Sequence, residues 1–482
     1  MANESRQRTG LIIVIAAIAA TGGLLFGFDT GVISGAKQFF RELWELTDKQ
    51  VEWITTAGLI GAIAGAAFSG RVTDAIGRRL VILGAAVIFG VGAVWTGAAG
   101  SPTSLFAGRL FLGIAIGISS YTVPLYIAEL SPSKHRGALV SSFQLLITIG
   151  ILVSYLSDKG FVVEDGKVGA LSQMLINMDF DINFYNCWRP MFYVGVIPAL
   201  ILLIGMLFLP ETPRFLISKG KEQKGRKILQ RIEEPELVEP TIKKMKADLE
   251  ASRKNNVGVK DLLRPWLRNS LIIGIGIMFV QQFVGINTVI YYSPEIFEKA
   301  GFGSVDDQLS ATVIVGLVNV FFTIVSMFII DKVGRRKLYF FGLTGITISL
   351  IALALGFAFM DTLGDSMKVL TVIFILVYIL FFAISLGPLG WLIISEVYPL
   401  HVRGTGSSIG ALSNWTFNAI VTFTFLSLIR LMGPSGAFAL YAAIGVLGLI
   451  WGARFIPETK GVSLEAIEDH WRAGKKPNEL KV

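Results

Sequence analysis

Apolar and polar positions along this chain alternate on a long scale: runs of about 20 apolar residues recur, separated by short polar breaks. A bilayer core of about 30 Å takes roughly 20 residues of helix to cross. Twelve runs meet that length, near 11–35, 52–71, 79–99, 103–127, 139–156, 190–209, 270–296, 308–330, 338–358, 368–397, 405–429 and 435–456. They are continuous, whereas membrane barrels show short segments of alternating polarity. The pattern predicts an all-α membrane protein with twelve transmembrane helices. The opening MANESRQRTG leads into the first run without an A-x-A-like cleavage site, so that run reads as a retained helix and not a signal peptide.

The polar breaks supply orientation. Arg78 and Arg79, Lys134 and Arg136, Arg335, Arg336 and Lys337, and Arg403 fall in alternate loops, as does the Lys- and Arg-rich segment 211–269. The positive-inside rule places these loops in the cytoplasm, and an even number of spans puts both termini there too. The expected organisation is a six-helix bundle over 1–209, a cytoplasmic linker with short helices over 210–269, a second six-helix bundle over 270–456 and a cytoplasmic tail over 457–482. Within the linker, KGKEQKGRKILQRI and PTIKKMKADLEASRK read as amphipathic helices. A solvated spacer and a regulatory element both fit them. The opposite-side loop 157–187 is polar and unusually long, and reads equally as an ordered cap or a disordered loop.

The two bundles repeat. DAIGRR at 74–79 is echoed by DKVGRR at 331–336, AELSPSKHRG at 128–137 by SEVYPLHVRG at 395–404, and PETPR at 210–214 by PETKG at 457–461. Each pair occupies the same loop of its half, an arrangement known from secondary transporters with parallel repeats.

Composition narrows the classes. The 482 residues are 53% hydrophobic and 16% charged, against about 25% charged in soluble domains. The net charge of +8 resides in the short basic clusters, so it marks topology and not a nucleic-acid partner. Cys187 is the sole cysteine, which excludes an intrachain disulfide or thiolate cluster. His135, His401 and His470 are too scattered for a metal site. With no phosphate loop and no nucleophile constellation, the chain does not read as an enzyme, and no cofactor is expected.

Asp29 lies well inside the first apolar run and Arg109 inside the fourth. A lone charge at mid-bilayer costs at least about 2.5–3.5 kcal/mol, so two suggest a pair. Asp29 lies about 28 Å along the first helix from the cytoplasmic end and Arg109 about 10 Å into the fourth from the outside. Both depths fall in the outer half.

Taken together, DAIGRR, PLYIAELSPSKHRG, PETPR, QQFVGINTVIYY, GPLGW and PETKG resemble the sugar porter family of the major facilitator superfamily. The likeness runs from GGLLFGFDTGVISG at 22–35 to PETKG, nearly the whole chain, and is strongest to bacterial proton–sugar symporters such as the xylose–proton symporter and to animal facilitative glucose transporters. It implies two pseudo-symmetric six-helix halves around a central site. It also implies that the interfacial charges form a cytoplasmic gate: Asp74 with Arg78 and Arg79, Glu129 with Arg136, Asp331 with Arg335 and Arg336, and Glu396 with Arg403. Such pairs would bridge the halves when that side is closed and break when it opens. By the same resemblance, the acid at Asp29 is the proton site, with Arg109 tuning it; the facilitative relatives carry an amide at that position.

The resemblance further implies a sugar pocket lined by Gln144, Gln281, Gln282, Asn287, Tyr291, Asn319, Gly387, Trp391, Asn414 and Trp415. Side-chain amides both donate and accept, as sugar hydroxyls do, and aromatic faces cover the apolar faces of the ring. Phe26 and Tyr292 read as pocket, gate or packing aromatics. On a straight helix Gln282 and Asn287 lie about 140° apart, so both reach one ligand only if the helix breaks, and Gly285 permits that. Gly387 and Pro388 offer a second flexible point. Asn414, where the xylose symporter has Gln, leans toward a hexose.

The expectation is a monomeric, proton-coupled monosaccharide symporter of the cell (inner) membrane, working by alternating access with monosaccharide, proton and bilayer as its partners. A sugar uniporter, an inositol-type polyol carrier and a sugar sensor are the alternatives.

Overall fold

The computed structural model describes residues 2–132, 136–164, 166–254, 259–399, 402–462 and 464–480. Eleven of its helices are long and apolar enough to cross a membrane. The longest, Arg403–Phe455, is two spans in one: Gly433 breaks it at φ 69°, just before Pro434. Counted so, twelve helices cross, and they are numbered here in chain order: 1, Ala2–Leu43; 2, Asp48–Ile76; 3, Arg78–Gly97; 4, Pro102–Leu130; 5, Arg136–Phe161; 6, Trp188–Phe208; 7, Pro265–Lys299; 8, Val305–Val333; 9, Arg335–Ala358; 10, Ser366–Glu396; and 11 and 12 on either side of Gly433.

Most helices outrun their apolar stretches. Helix 1 continues through Lys37 and Gln38 to Leu43, and helix 2 begins at Asp48. Backbone groups near the bilayer are best satisfied within a helix, so the helix persists after the sequence turns polar.

The sequence repeats are structural repeats. Gly77 and Gly334 take φ 103° and 97°, a conformation suited to glycine, and each turns the chain from one helix into the next. The Glu211 carboxylate accepts from the backbone N–H groups of Arg78 and Arg79 (3.2 and 3.1 Å), and Glu458 accepts from those of Arg335 and Arg336 (2.9 and 3.2 Å). Each PET motif thus caps a helix N-terminus set up by a GRR turn, where orphan donors and the helix dipole favour an anion.

The loop 157–187 contains ordered elements. A two-residue hairpin pairs Val163–Glu164 with Lys167–Val168, and a short helix, Ala170–Ile176, follows. Glu164 accepts from the Val305 and Asp306 backbone N–H groups at 3.2 and 3.4 Å and caps helix 8. In the linker, Glu222–Ile232 and Pro235–Lys254 are helical, as their patterns predict. The tail is docked: Trp471 is buried and its indole N–H donates to the Val397 carbonyl at 3.0 Å.

Contacts group residues 1–29, 60–151 and 192–256 into one compact unit, and 30–59, 152–191 and 257–482 into another. In the first, helices cross at glycines. A methyl group at Gly27 would strike the Ile147 carbonyl, and one at Gly150 the Leu24 carbonyl, so helices 1 and 5 touch backbone to backbone. Helices 2 and 4 do the same: methyls at Gly61, Gly65 and Gly117 would strike the carbonyls of Leu110, Ile114 and Ala62. These small-xxx-small patterns let backbones approach closely. The second unit joins the segments at the 157–187 end of helices 1, 2 and 5 to helices 7–12.

Candidate functional site

Helix 7 is broken where the 140° argument requires. It runs as Arg268–Phe283 and Ile286–Lys299 on either side of Gly285, which sits in the left-handed region at φ 88°. Helix 10 is likewise interrupted, at Ser385, two residues before Gly387. Backbone carbonyls near such breaks must find other donors inside a membrane. The Tyr378 hydroxyl donates to Val284 at 3.0 Å, the Tyr155 hydroxyl to Ile290 at 2.7 Å, and the Ser326 hydroxyl to Ile384 at 3.2 Å. Pro294 and Pro388 explain the last two, because neither has an N–H for the carbonyl four residues earlier.

The breaks let side-chain amides of helices 7 and 11 converge on backbone carbonyls of helix 10. Gln281 Nε2 donates to the carbonyls of Leu386 and Gly387 (2.7 and 3.1 Å), and its Oε1 accepts from Asn414 Nδ2 at 2.7 Å and from Gln282 Nε2 at 3.3 Å. Asn287 Nδ2 donates to Gln282 Oε1 at 2.5 Å. Gln281, Gln282, Asn287, Gly387 and Asn414 therefore form one bonded network on helices 7, 10 and 11. Asn319 on helix 8 and Trp415 on helix 11 are buried, and Trp391 is half-buried. Tyr291 is buried on helix 7, and its backbone carbonyl accepts from Lys37 Nζ. Gln144 is half-buried on helix 5. Tyr292 is fully buried with its hydroxyl on the Thr422 carbonyl at 3.0 Å, which makes it a packed strut.

Asp29 and Arg109 do meet. Arg109 Nη1 lies 2.5 Å from Asp29 Oδ1, with side-chain exposures of 1% and 5%. The guanidinium stands 5.9 Å from the centre of the Phe192 ring. An unpaired charge in such a place would be strongly destabilising, and the pair meets that requirement with a carboxyl that can also take a proton.

The interfacial charges pair differently from their order in sequence. Glu129 takes Arg78 (3.1 Å) and the Thr212 hydroxyl (2.6 Å), while Arg136 donates to the Ala128 and Ser131 carbonyls. Glu396 takes Arg335 (2.9 Å) and the Thr459 hydroxyl (2.6 Å), while Arg403 donates to the Tyr398 carbonyl. The expected pairs Glu129–Arg136 and Glu396–Arg403 are thus corrected to Glu129–Arg78 and Glu396–Arg335. In each motif the Arg turns back to carbonyls of its own motif, leaving the acid to the Arg of a neighbouring helix. Asp74 reaches Arg78 at 3.1 Å as expected. Arg79 donates to the Met206 and Leu207 carbonyls, and Arg336 to those of Ala453 and Ile456. These bonds lie within a single compact unit each. Lys134, His135, His401 and the Asp331 side chain lie outside the described residues.

Sequence reading missed a second buried charge cluster, Lys37, Asp158 and Glu295 on helices 1, 5 and 7. Lys37 and Asp158 fell just past the ends of their apolar runs and read as loop residues.

Twelve crossing helices and duplicated GRR–PET turns describe a multi-pass membrane protein of repeated design, and its similarity to known proteins makes it a transporter of the major facilitator type, not an enzyme. A family profile described as sugar (and other) transporter matches residues 15–471, and the chain belongs to that family. The D-xylose transporter of Levilactobacillus brevis is 39% identical over 457 residues, 94% of each chain. The galactose-proton symporter of Escherichia coli K12 is 33% identical over 484 residues, 99% of this chain and 98% of that one. The solved structure of the major facilitator superfamily proton:xylose symporter XylE bound to 6-bromo-6-deoxy-D-glucose is 31% identical, with a TM-score of 0.77 over 96% of this chain and 100% of that one.

Gln282→Ala or Trp391→Ala is expected to weaken sugar binding several-fold, read by titration calorimetry on purified protein. For Gln282 the loss of one buried hydrogen bond at about 1 kcal/mol corresponds to such a change, and for Trp391 the loss of an aromatic contact at about 0.5–1.5 kcal/mol does. Unchanged affinity in both variants would remove these residues from the pocket.

Proposed function

We propose that this chain is a proton-coupled monosaccharide symporter, taking a hexose in preference to a pentose and working by alternating access. The observation that carries the reading is the buried Asp29–Arg109 pair, an acid that can exchange its charged partner for a proton within the membrane. The amide network supplies groups that both donate and accept, matched to neutral hydroxyls and not to a charged substrate. The relatives named as proton symporters support coupling, and the galactose and xylose carriers support a monosaccharide. Asn414 on helix 11, bonded to Gln281, is the residue on which the hexose preference rests.

In this reading the GRR clusters, both termini and the linker are cytoplasmic, the hairpin loop is outside, and the carrier works as a monomer in the cell (inner) membrane. A proton and a sugar bind from outside, the Asp29–Arg109 interaction relaxes, the two halves rock about the site, and the sugar leaves inward. Asp74, Arg78, Arg79, Glu129, Arg136, Arg335, Arg336, Glu396 and Arg403 serve as the cytoplasmic gate by holding the helix ends that separate.

The test is accumulation. Purified protein in liposomes is expected to concentrate galactose or glucose more than xylose or inositol when an inward proton gradient is imposed. Equilibration without accumulation would indicate a uniporter, and accumulation of inositol alone would replace the monosaccharide assignment.

A further inference from the structure

Helices 1, 5 and 7 bring three ionisable groups together at the hairpin end of the second unit, and nothing in the transport cycle above uses them. Lys37 is fully buried. Its Nζ lies 2.9 Å from Glu295 Oε2, donates to the Tyr291 carbonyl and stands 4.5 Å from the centre of the Tyr292 ring. Asp158 is also fully buried. Its Oδ2 accepts from the Gly35 N–H at 3.2 Å, and its Oδ1 has no hydrogen-bond partner among the described residues. Gly35 is obligatory here, because a methyl group would lie 2.6 Å from both Asp158 Cβ and Oδ2. Asp158 therefore sits against the turn of helix 1 that carries Lys37.

The count of charges is uneven: one ammonium and two carboxyls, all withdrawn from water. The other ionisable groups around them are Arg41 on helix 1, Tyr155 and Lys159 on helix 5, Cys187 at the start of helix 6, and Tyr291, Tyr292 and Glu298 on helix 7. Lys159 is turned to helix 8, where it donates to the Ser310 hydroxyl at 2.6 Å, and Arg41 is paired with Asp48 at 2.6 Å. Lys37 is thus left to serve two acids, and it is committed to Glu295. A carboxylate buried without a cation is far costlier than a neutral acid, and an unbonded Oδ1 is tolerable on a neutral carboxyl.

We propose that Asp158 is a second proton-binding site of this carrier, occupied while Lys37 is paired with Glu295 and emptied when the hairpin end opens. Opening carries the Ile286–Lys299 segment of helix 7, and Glu295 with it, away from helix 1. Lys37 then turns to Asp158, which sits against the same turn of helix 1, and the Asp158 proton passes to water at the opened end. Glu295 becomes hydrated and remains charged. One proton is therefore bound on closing and released on opening, so acid on that side favours the closed form. The inference rests on the alternating-access reading but needs neither a sugar nor a proton gradient.

The experiment uses the full chain in nanodiscs, with spin labels on cysteines replacing Gln50 and Thr362, two exposed residues at the hairpin end. Native Cys187 is buried and is spared by the label. Distances are measured across a pH series without sugar. The wild-type ratio of short to long distances is expected to rise with acid, with a contribution from this site of up to about tenfold per pH unit. Asp158→Asn should keep the short distances and lose that contribution, because Lys37 then has only Glu295. Glu295→Gln should shift toward the long distances and lose it as well, because Lys37 then stays on Asp158. Opposite shifts with the same loss of pH response are not what a packing defect produces. A pH response equal to wild type in both variants, or a flat wild type, overturns the proposal. Failure to transport any sugar leaves this test standing, so the two readings fail separately.

Discussion

Asp29→Asn is expected to abolish proton-driven accumulation of sugar while leaving exchange at equal concentrations intact. The carboxyl is paired with Arg109 at 2.5 Å and almost wholly withdrawn from solvent. Uptake of a proton weakens that pairing, and its release restores it. An amide resembles the protonated acid at every pH, so the variant can still cycle with sugar but has nothing to couple. For one proton per sugar, each pH unit of gradient supports roughly tenfold accumulation, and the variant should fall to a ratio of one. Removing the carboxylate leaves Arg109 buried without its counter-charge, at a cost of about 3–5 kcal/mol, so a lower melting temperature should accompany the change. Sustained accumulation by Asp29→Asn would leave the pair as a structural ion pair and return the chain to the uniporters.

Gly27→Val is expected to cost the fold itself. Helices 1 and 5 are in backbone contact there, and even a methyl group would collide with the Ile147 carbonyl, which, as main chain, cannot rotate away. Overpacking typically costs about 1–3 kcal/mol where side chains can adjust, and a main-chain collision should reach or exceed the upper figure. The expected result is a large fall in melting temperature and loss of the monodisperse peak in detergent. Gly84→Val on helix 3, where nothing stands within 4 Å of the added carbon, is the matched control and should behave as wild type. Equal stability of the two variants would mean that helices 1 and 5 are not in such close contact.

Much of this was legible in the chain. The twelve spans follow from the length of the apolar runs, and the duplication from paired motifs in matching loops. The break at Gly285 follows from the demand that Gln282 and Asn287 reach one place, and they do, through a hydrogen bond. The Asp29–Arg109 pair follows from depth and cost together. What stayed hidden depends on contacts distant in sequence. Glu211 and Glu458 cap helices more than a hundred residues earlier in the chain, and no local pattern announces it. The partners of Glu129 and Glu396 were misread because nearness in sequence was taken for nearness in space. Lys37 and Asp158 were missed because hydropathy ends a span where the chain turns polar, whereas the helix continues and carries the charge into the interior.

Helices 11 and 12 pass into each other at Gly433 with no loop between them. Slack is absent at that corner, so a displacement of one rod's end carries the end of the other with it. Leu431, 80% exposed beside the bend, is therefore a good seat for a fluorophore: its tumbling would register the swing of both rods at once.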